Sequence, residues 1–590
     1  MAQDKYFREE LSFLKEQGKH FTEVHPQLSR FLHGQVTDPD VERLLEGFAF
    51  LTARLREKVE DEFPELTHSL INMLWPNYLR PVPSMSIVAF EPKSSVSEKH
   101  VIKSGVQLDS ARDVLGTTCH FRTCRDVSLF PLVIEGITSH HTRESSTVNI
   151  SLMMQGEMSV GEALVDSLRF YLGGDIYSAQ MLYLWLNHNL NKIVIDVDGT
   201  EFNVPKDALK SVGFSSEDAL LPYPKNVYEG YRILQEYLSF PQAFHFIDVF
   251  SLDKVIPSSV RGRMTMKIRF SKTLPTDVRI NEESFQLYCA PIINLFEHDA
   301  DPIDLTGKQS EYRIIPSSRY PSHYEVFSVD GVYGWQDKTQ DSQRIRGEKR
   351  VYHPFESFQH QVERVRNRQV LYYRTRVKDS IRGDGFDSFV SFIRGDETRS
   401  IDVDEAVSIQ LTCTNRLLPI ELGVGEICQP TDTSPDFVTF RNITIPSQPL
   451  RPVLDGSLLW GLISNLSLNY LSLLSKDALS SVLRAYDFRA LVDRQAERVA
   501  KKRLAGIIDI KSKPVDKLLR GLPVRGLQSE IFIDQTGFGS EGELYLFGRV
   551  LSHFFALYAN INSFHELILV NVSNNEKYTW GTRIGMQPLI

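Results

Sequence analysis

The sequence predicts a multidomain α+β protein: a helical N-terminal region, β-rich modules through the middle, and a C-terminal region mixing helices and strands. Three observations carry this. At 590 residues the chain exceeds what one hydrophobic core serves. Residues 4–80 repeat apolar side chains at helical spacing. From residue 81 the pattern changes to short apolar runs bounded by Pro, Gly and Ser. The expected division is residues 1–80, helical; 81–260, β-rich with a central aromatic helix; 261–445, β-rich with a basic strand face; and 446–590, mixed.

The N-terminal region opens with Phe7, Leu11, Leu14 and Phe21 on one face, after Asp4 and before Pro26. A second helix starts at Asp38, a good N-cap, with Pro39 at the first helical position, where a missing N–H costs nothing. Val41, Leu44, Leu45, Phe48, Leu51, Leu55 and Val59 then form a wide apolar stripe. Pro64 restarts a helix carrying Leu66, Leu70, Met73 and Leu74, and Pro76, Pro81 and Pro83 end it.

In the β-rich part, residues 86–90, 127–134 and 168–172 read as strands, and residues 175–188 as a helix following Gly173-Gly174. Asp198-Gly199, between apolar runs at 193–197 and 200–204, predicts a hairpin, because both residues tolerate positive φ. Asp330-Gly331 predicts another over residues 326–333. Residues 230–240 predict an aromatic-rich helix stopped by Pro241, with Tyr231, Leu234, Tyr237 and Leu238 on a core face. Strands are expected at 264–270, 369–377 and 407–413. A connector with Pro446, Pro449 and Pro452 leads into helical stretches at 457–474 and 476–486, then a basic, turn-rich segment at 494–525. The chain ends in strand 529–534, helix 542–558 and strand 566–572. Leu546, Val550, Phe554 and Tyr558 form the helix's stripe, expected to be core.

Bulk composition is that of an ordinary globular chain, with 42% hydrophobic and 24% charged residues. A net charge of −9 argues against a dedicated nucleic-acid binder. The first residues lack the apolar stretch of a secretory leader, and no window approaches a membrane span. Five cysteines suit reduced thiols, so a soluble intracellular protein is expected.

Three constellations bear on chemistry. Gly537, Gly539 and Gly542 match G-x-G-x-x-G between a strand and a helix, as a dinucleotide site requires. Against this, Phe538 is bulky where pyrophosphate approaches, Glu541 puts an anion at the helix end, and few elements follow. Cys119, His120 and Cys124, with His140 or His141, offer zinc ligands but lack a second tight pair. Residues 344–382 are basic, with Tyr372 and Tyr373 interleaved, and Arg364, Arg366 and Arg368 alternate onto one strand face. That face suits an acidic partner, a single-strand nucleic-acid groove or plain solvent. The hydrolase, zinc-protease and P-loop motifs are absent. The expectation is a protein without catalysis, cofactor or metal, the alternative being a metal- or nucleotide-binding enzyme.

Residues 39–55 (P-D-V-E-R-L-L-E-G-F-A-F-L-T-A-R-L), continuing into D-E-F-P-E-L and L-R-P-V-P-S-M by residue 85, resemble the TssF family, also called ImpG or VasA. So do Y-R-I-L-Q-E-Y-L-S-F-P at 231–241 and the block at 543–564. These are type VI secretion baseplate subunits, and the blocks span essentially the whole chain. The resemblance implies a structural wedge protein, similar to a wedge subunit of contractile phage baseplates. Two copies associate with one TssG, alongside the TssK adaptor and TssE, around the VgrG spike. It implies a cytoplasmic location, docked at the inner membrane through the assembled apparatus without direct insertion. No nucleic acid, cofactor or catalytic residue comes with it. On this reading Val41, Leu44, Leu45, Phe48, Leu51 and Leu55 meet partner helices, the alternative being that the stripe packs wholly within its own domain; Arg364, Arg366 and Arg368 meet an acidic surface, and hinges fall near Pro81–Pro83 and Pro446–Pro452.

Overall fold

The computed structural model describes residues 7, 11, 12, 14, 40, 41, 43–53, 71 and most of 75–585. Outside the described residues, within that last span, lie 94, 95, 97, 156–158, 162, 164, 224–228, 306–308, 341, 342, 356–370, 381–384, 395–404, 452–474, 520, 557, 558, 560 and 561. The chain divides into two compact units, Met1–Leu79 with Val453–Ser467, and Arg80–Pro452 with Leu468–Ile590. In the first, residues 43–53 form a continuous stretch of helix, and Pro76–Tyr78 a short 3-10 turn with its proline at the start. Most of the remaining N-terminal helical pattern, and residues 457–474, lie outside the described residues.

The second unit is strand-rich, as expected for an α+β protein. Met85–Pro92 pairs antiparallel with Cys289–Ile293 on one side and Val438–Asn442 on the other. His120–Thr123, Gln107–Ser110 and Ile427–Pro430 complete this six-stranded sheet. A five-stranded sheet orders Thr200–Val204, Leu190–Val197, Arg263–Phe270, Ser146–Met154 and Leu132–His141. Strands from both sides of residue 260 therefore interleave in these two sheets, and again where Gln286–Leu287 pairs with Leu168–Tyr171. Composition gives no hint of this, since side-chain alternation specifies a strand but not its neighbour.

Asp198 and Gly199 turn the expected hairpin at φ 49° and 85°. Asp330-Gly331 does not turn. Glu325–Gln340 is one sixteen-residue strand, paired from Glu325 to Gln336 with Glu405–Thr414 and bulged between Val326 and Ser328 and between Val329 and Gly331. The Asp330 carboxylate is satisfied within the sheet, accepting from Ser328 Oγ at 2.7 Å and Thr412 Oγ1 at 2.6 Å. A bulge and a tight turn draw on the same residue types, so the dipeptide signal was ambiguous. The expectation of one turn-rich segment at 494–525 also fails. Asp493 caps a helix, Arg494–Gly506, which leads into a long hairpin of Ile507–Leu519 and Leu522–Ile533.

The C-terminal sheet orders that hairpin, then Phe564–Asn571 and Lys577–Ile584. The helix Glu541–Ala556 covers it and buries Leu546, Phe547, Val550, Leu551 and Phe554. Tyr558 lies outside the described residues. Gly542 lets this helix approach Ile176–His188, because a Cβ there would collide with the Gln180 carbonyl. The aromatic helix Glu229–Ser239 packs against the same element. Tyr231 stacks on Tyr486 with centroids 5.5 Å apart, and Tyr237 reaches Phe547 at 6.2 Å.

A buried ion pair holds that aromatic helix in place. Arg232 and Glu236 are 1% and 0% exposed, with Nη1 donating to Oε2 at 3.0 Å. Glu236 also accepts the Leu220 N–H at 2.9 Å, and Arg232 Nη2 donates to the Ser215 carbonyl at 2.8 Å. Burial pushes the Glu236 carboxyl upward, opposed chiefly by Arg232. Beside them, buried Arg125 donates to the Asp218 and Ala243 carbonyls, both at 2.9 Å. These contacts pin loop 212–221 to the helix.

Candidate interaction surface

The N-terminal helix places its side chains in three angular sectors, at about 100° per residue. Ala49 and Ala53 are buried, Val41 and Leu45 half-buried. Leu44, Phe48 and Leu51, spaced i, i+4, i+7 on a further face, are 74%, 60% and 59% exposed. Ala49 and Ala53 thus lie on the covered side of the helix, and Leu44, Phe48 and Leu51 on the exposed side. A solvent-facing stripe of this kind exposes hydrocarbon that burial would stabilise by about 1.5–3 kcal/mol per side chain. Leu55 continues the spacing but lies outside the described residues, as do Arg364, Arg366 and Arg368.

The structure separates the basic segment from its aromatics. Tyr372 and Tyr373 are buried. Tyr373 joins the core of the eight-stranded sheet with Val332, Tyr352 and Val390. Arg376 and Lys378, on the same strand, pair with Glu311 at 3.6 and 2.6 Å. A nucleic-acid groove needs its rings exposed for stacking. These rings are core.

At the glycine-rich turn, the chain's own acids occupy the place a phosphate requires. The Gly539 N–H donates to Glu543 at 2.8 Å, and Glu543 is paired with Arg503 at 2.6 Å. Glu541 accepts from Asn574 and Tyr578, each at 2.6 Å. Phe538 packs on Phe547 at 5.3 Å. At the cysteines, burial pushes both the Cys119 and Cys124 thiols up to about 12, opposite to what a thiolate ligand requires. His120 is committed to Asp109 at 2.8 Å. Among the described residues no group of three or more His, Cys, Asp or Glu side chains is placed to hold a metal. Nor, among them, is any helix long and apolar enough to cross a membrane.

The architecture is thus that of a strand-rich α+β protein whose cores are closed by internal packing and whose N-terminal helix presents an open apolar face. A profile of the family described as "Type VI secretion system, TssF" matches residues 2–587, and the chain belongs to that family. It is 28% identical to the type VI secretion system component TssF1 of Pseudomonas aeruginosa, covering 99% of this chain and 98% of the relative. It superposes with a TM-score of 0.76 and 29% identity on a chain of the type VI secretion system TssK-TssF-TssG baseplate subcomplex, covering 92% of this chain and 98% of that one. A chain of the type VI baseplate complex matches over the full length of both, with a TM-score of 0.63 and 26% identity.

Sequence reasoning misses the Arg232–Glu236 pair, although both residues lie within the aromatic-helix motif. A signal was present: two opposite charges at i, i+4 on a helix whose other positions are mostly apolar.

Proposed function

We infer that this chain works as a structural subunit of a type VI secretion baseplate, joining TssG-type and TssK-type subunits. The observation that carries this is the 92% overlap with a chain of the TssK-TssF-TssG subcomplex. Leu44, Phe48 and Leu51, with Val41, Leu45 and Leu55 beside them, are the surface that meets helices of the TssG-type subunit. Support comes from the outward orientation of Leu44, Phe48 and Leu51, away from the buried Ala49 and Ala53. A second copy of the chain, TssE and the VgrG spike complete the assembly, which resembles a contractile-phage wedge and docks at the cytoplasmic face of the inner membrane. Arg364, Arg366 and Arg368 form a secondary contact with an acidic surface.

Two copies in one wedge meet different surroundings, so the chain bends at its proline connectors. These connectors are tied to each other. The Val82 N–H donates to the Leu450 carbonyl at 2.7 Å, and the Leu450 N–H returns the bond at 2.9 Å. They therefore flex together as a two-stranded strap. Finer domain boundaries follow the sheets rather than residue 260.

Co-expression with the neighbouring baseplate subunits, followed by the native mass of the purified complex, tests this reading. A mass of two copies with one TssG-type subunit is expected. Recovery of the chain alone under these conditions would refute it.

A further inference from the structure

We propose that Arg549 and Arg583, with the Tyr183 hydroxyl behind them, form a binding site for a single oxyanion. The site lies where the helices Ile176–His188 and Glu541–Ala556 meet the edge strand Lys577–Ile584. Arg549 Nη1 donates to Asn187 Oδ1 at 2.6 Å, and its guanidinium lies over the Phe214 ring, 5.2 Å from the centroid. One turn along the same helix, Ser552 Oγ accepts from Arg583 Nε at 3.1 Å. Tyr183 sits one turn before Asn187 and packs against Tyr545, one turn before Arg549, at 6.2 Å. Both arginines are half-buried as residues.

Among the described residues neither Arg549 nor Arg583 forms an ion pair with a carboxylate. The buried Arg549 Nε has no hydrogen-bond partner, and neither does the Tyr183 hydroxyl, whose residue is 0% exposed. A buried donor left unbonded costs about 1–3 kcal/mol, so two unbonded donors beside two uncompensated guanidiniums need explanation. Mutual repulsion is present too: burial, and then Arg549, push the Arg583 guanidinium down to about 10. His553, next to Arg549 along this helix face, is pushed well below its ordinary value by burial, Arg583 and Arg549, so it stays neutral and adds no further positive charge.

An oxyanion satisfies all of these groups at once. Planar guanidiniums present paired N–H groups matched to carboxylate or phosphate oxygens, and a phenol adds one more donor. The ligand has two possible sources: free inorganic phosphate, or an acidic side chain inserted by a neighbouring subunit. The inference does not depend on the baseplate reading, since it rests on groups within one compact unit.

Thermal unfolding of the full chain in sodium phosphate, against sodium chloride at matched ionic strength, tests it. A saturable rise in midpoint is expected in phosphate, lost in Arg583→Gln and partly kept in Arg583→Lys. Equal midpoints in the two salts for the wild-type chain overturn the proposal, and this arm needs no variant to fold. A rise that persists undiminished in Arg583→Gln overturns it as well, because the anion then binds elsewhere. Repeating the titration on the complex with its partner subunits separates the sources. A phosphate response retained there points to the free anion, and one abolished there points to a partner's acidic side chain already in place.

Discussion

The aromatic helix Glu229–Ser239 and the N-terminal helix through residues 43–53 look alike in sequence, each an apolar stripe at helical spacing. Their fates differ. The first buries Tyr231, Leu234 and Tyr237 against its own chain and anchors itself with the Arg232–Glu236 pair. The second buries alanines and leaves Leu44, Phe48 and Leu51 outside. Amphipathic periodicity reports that a surface seeks burial, not whether the partner belongs to the same molecule. The comparison implies that substitutions in the first helix act on stability, whereas those in the second act on assembly.

The sharpest way to break that contrast is at Glu236. Replacing it with Ala strands Arg232 and removes the acceptor of the Leu220 N–H. We expect a loss of about 3–5 kcal/mol in a denaturant titration of the purified chain. A midpoint near wild type would mean the pair is dispensable. Next in size is Gly542→Val, whose side chain would push against the Gln180 backbone. It should cost about 3 kcal/mol through overpacking, read in the same titration, and Gly581→Ala, which meets open space, serves as the control.

Acid should act on the packed region too. Burial pushes His245 down to about 4 and His565 down to about 3, from an ordinary 6.5. The folded pKa values are depressed, so the unfolded chain takes up protons first. This contribution to stability is fully present above about pH 6.5. It declines as pH falls from there towards 4 and 3, by up to about 1.4 kcal/mol per pH unit for each histidine. Unfolding midpoints at pH 7.5 and 5.5 check the sign, and His245→Phe should flatten the slope. The smallest effect on stability belongs to the exposed stripe. Leu44→Asp, Phe48→Asp and Leu51→Asp should each change folding by within about 0.5 kcal/mol.

Much of the architecture was legible because it rests on local signals. Asp175 caps its helix through Ser178, Pro241 stops the aromatic helix, and Asp198-Gly199 turns a hairpin. What was not legible depends on partners distant in sequence. Asp330-Gly331 became a bulge because Glu405–Thr414 spans both of its flanks. The strand Ile507–Leu519 was hidden by lysines and Pro514, which suit the edge of a sheet. The N-terminal apolar stripe was visible as a stripe, but only the structure showed Leu44, Phe48 and Leu51 facing outward while Val41 and Leu45 turn partly inward. Arg549 and Arg583 stand 34 positions apart, and no spacing rule joins a helix to an edge strand.

The most direct test of an assembly subunit working through an open apolar helix face is Phe48→Asp, co-expressed with the TssG-type subunit. Removing one buried aromatic contact and introducing a charge should weaken association by about 100-fold or more, from about 3 kcal/mol lost. The expected result is a folded variant, with an unchanged unfolding midpoint, that no longer co-purifies. A variant that folds and still yields the complex at wild-type mass and affinity would contradict the account.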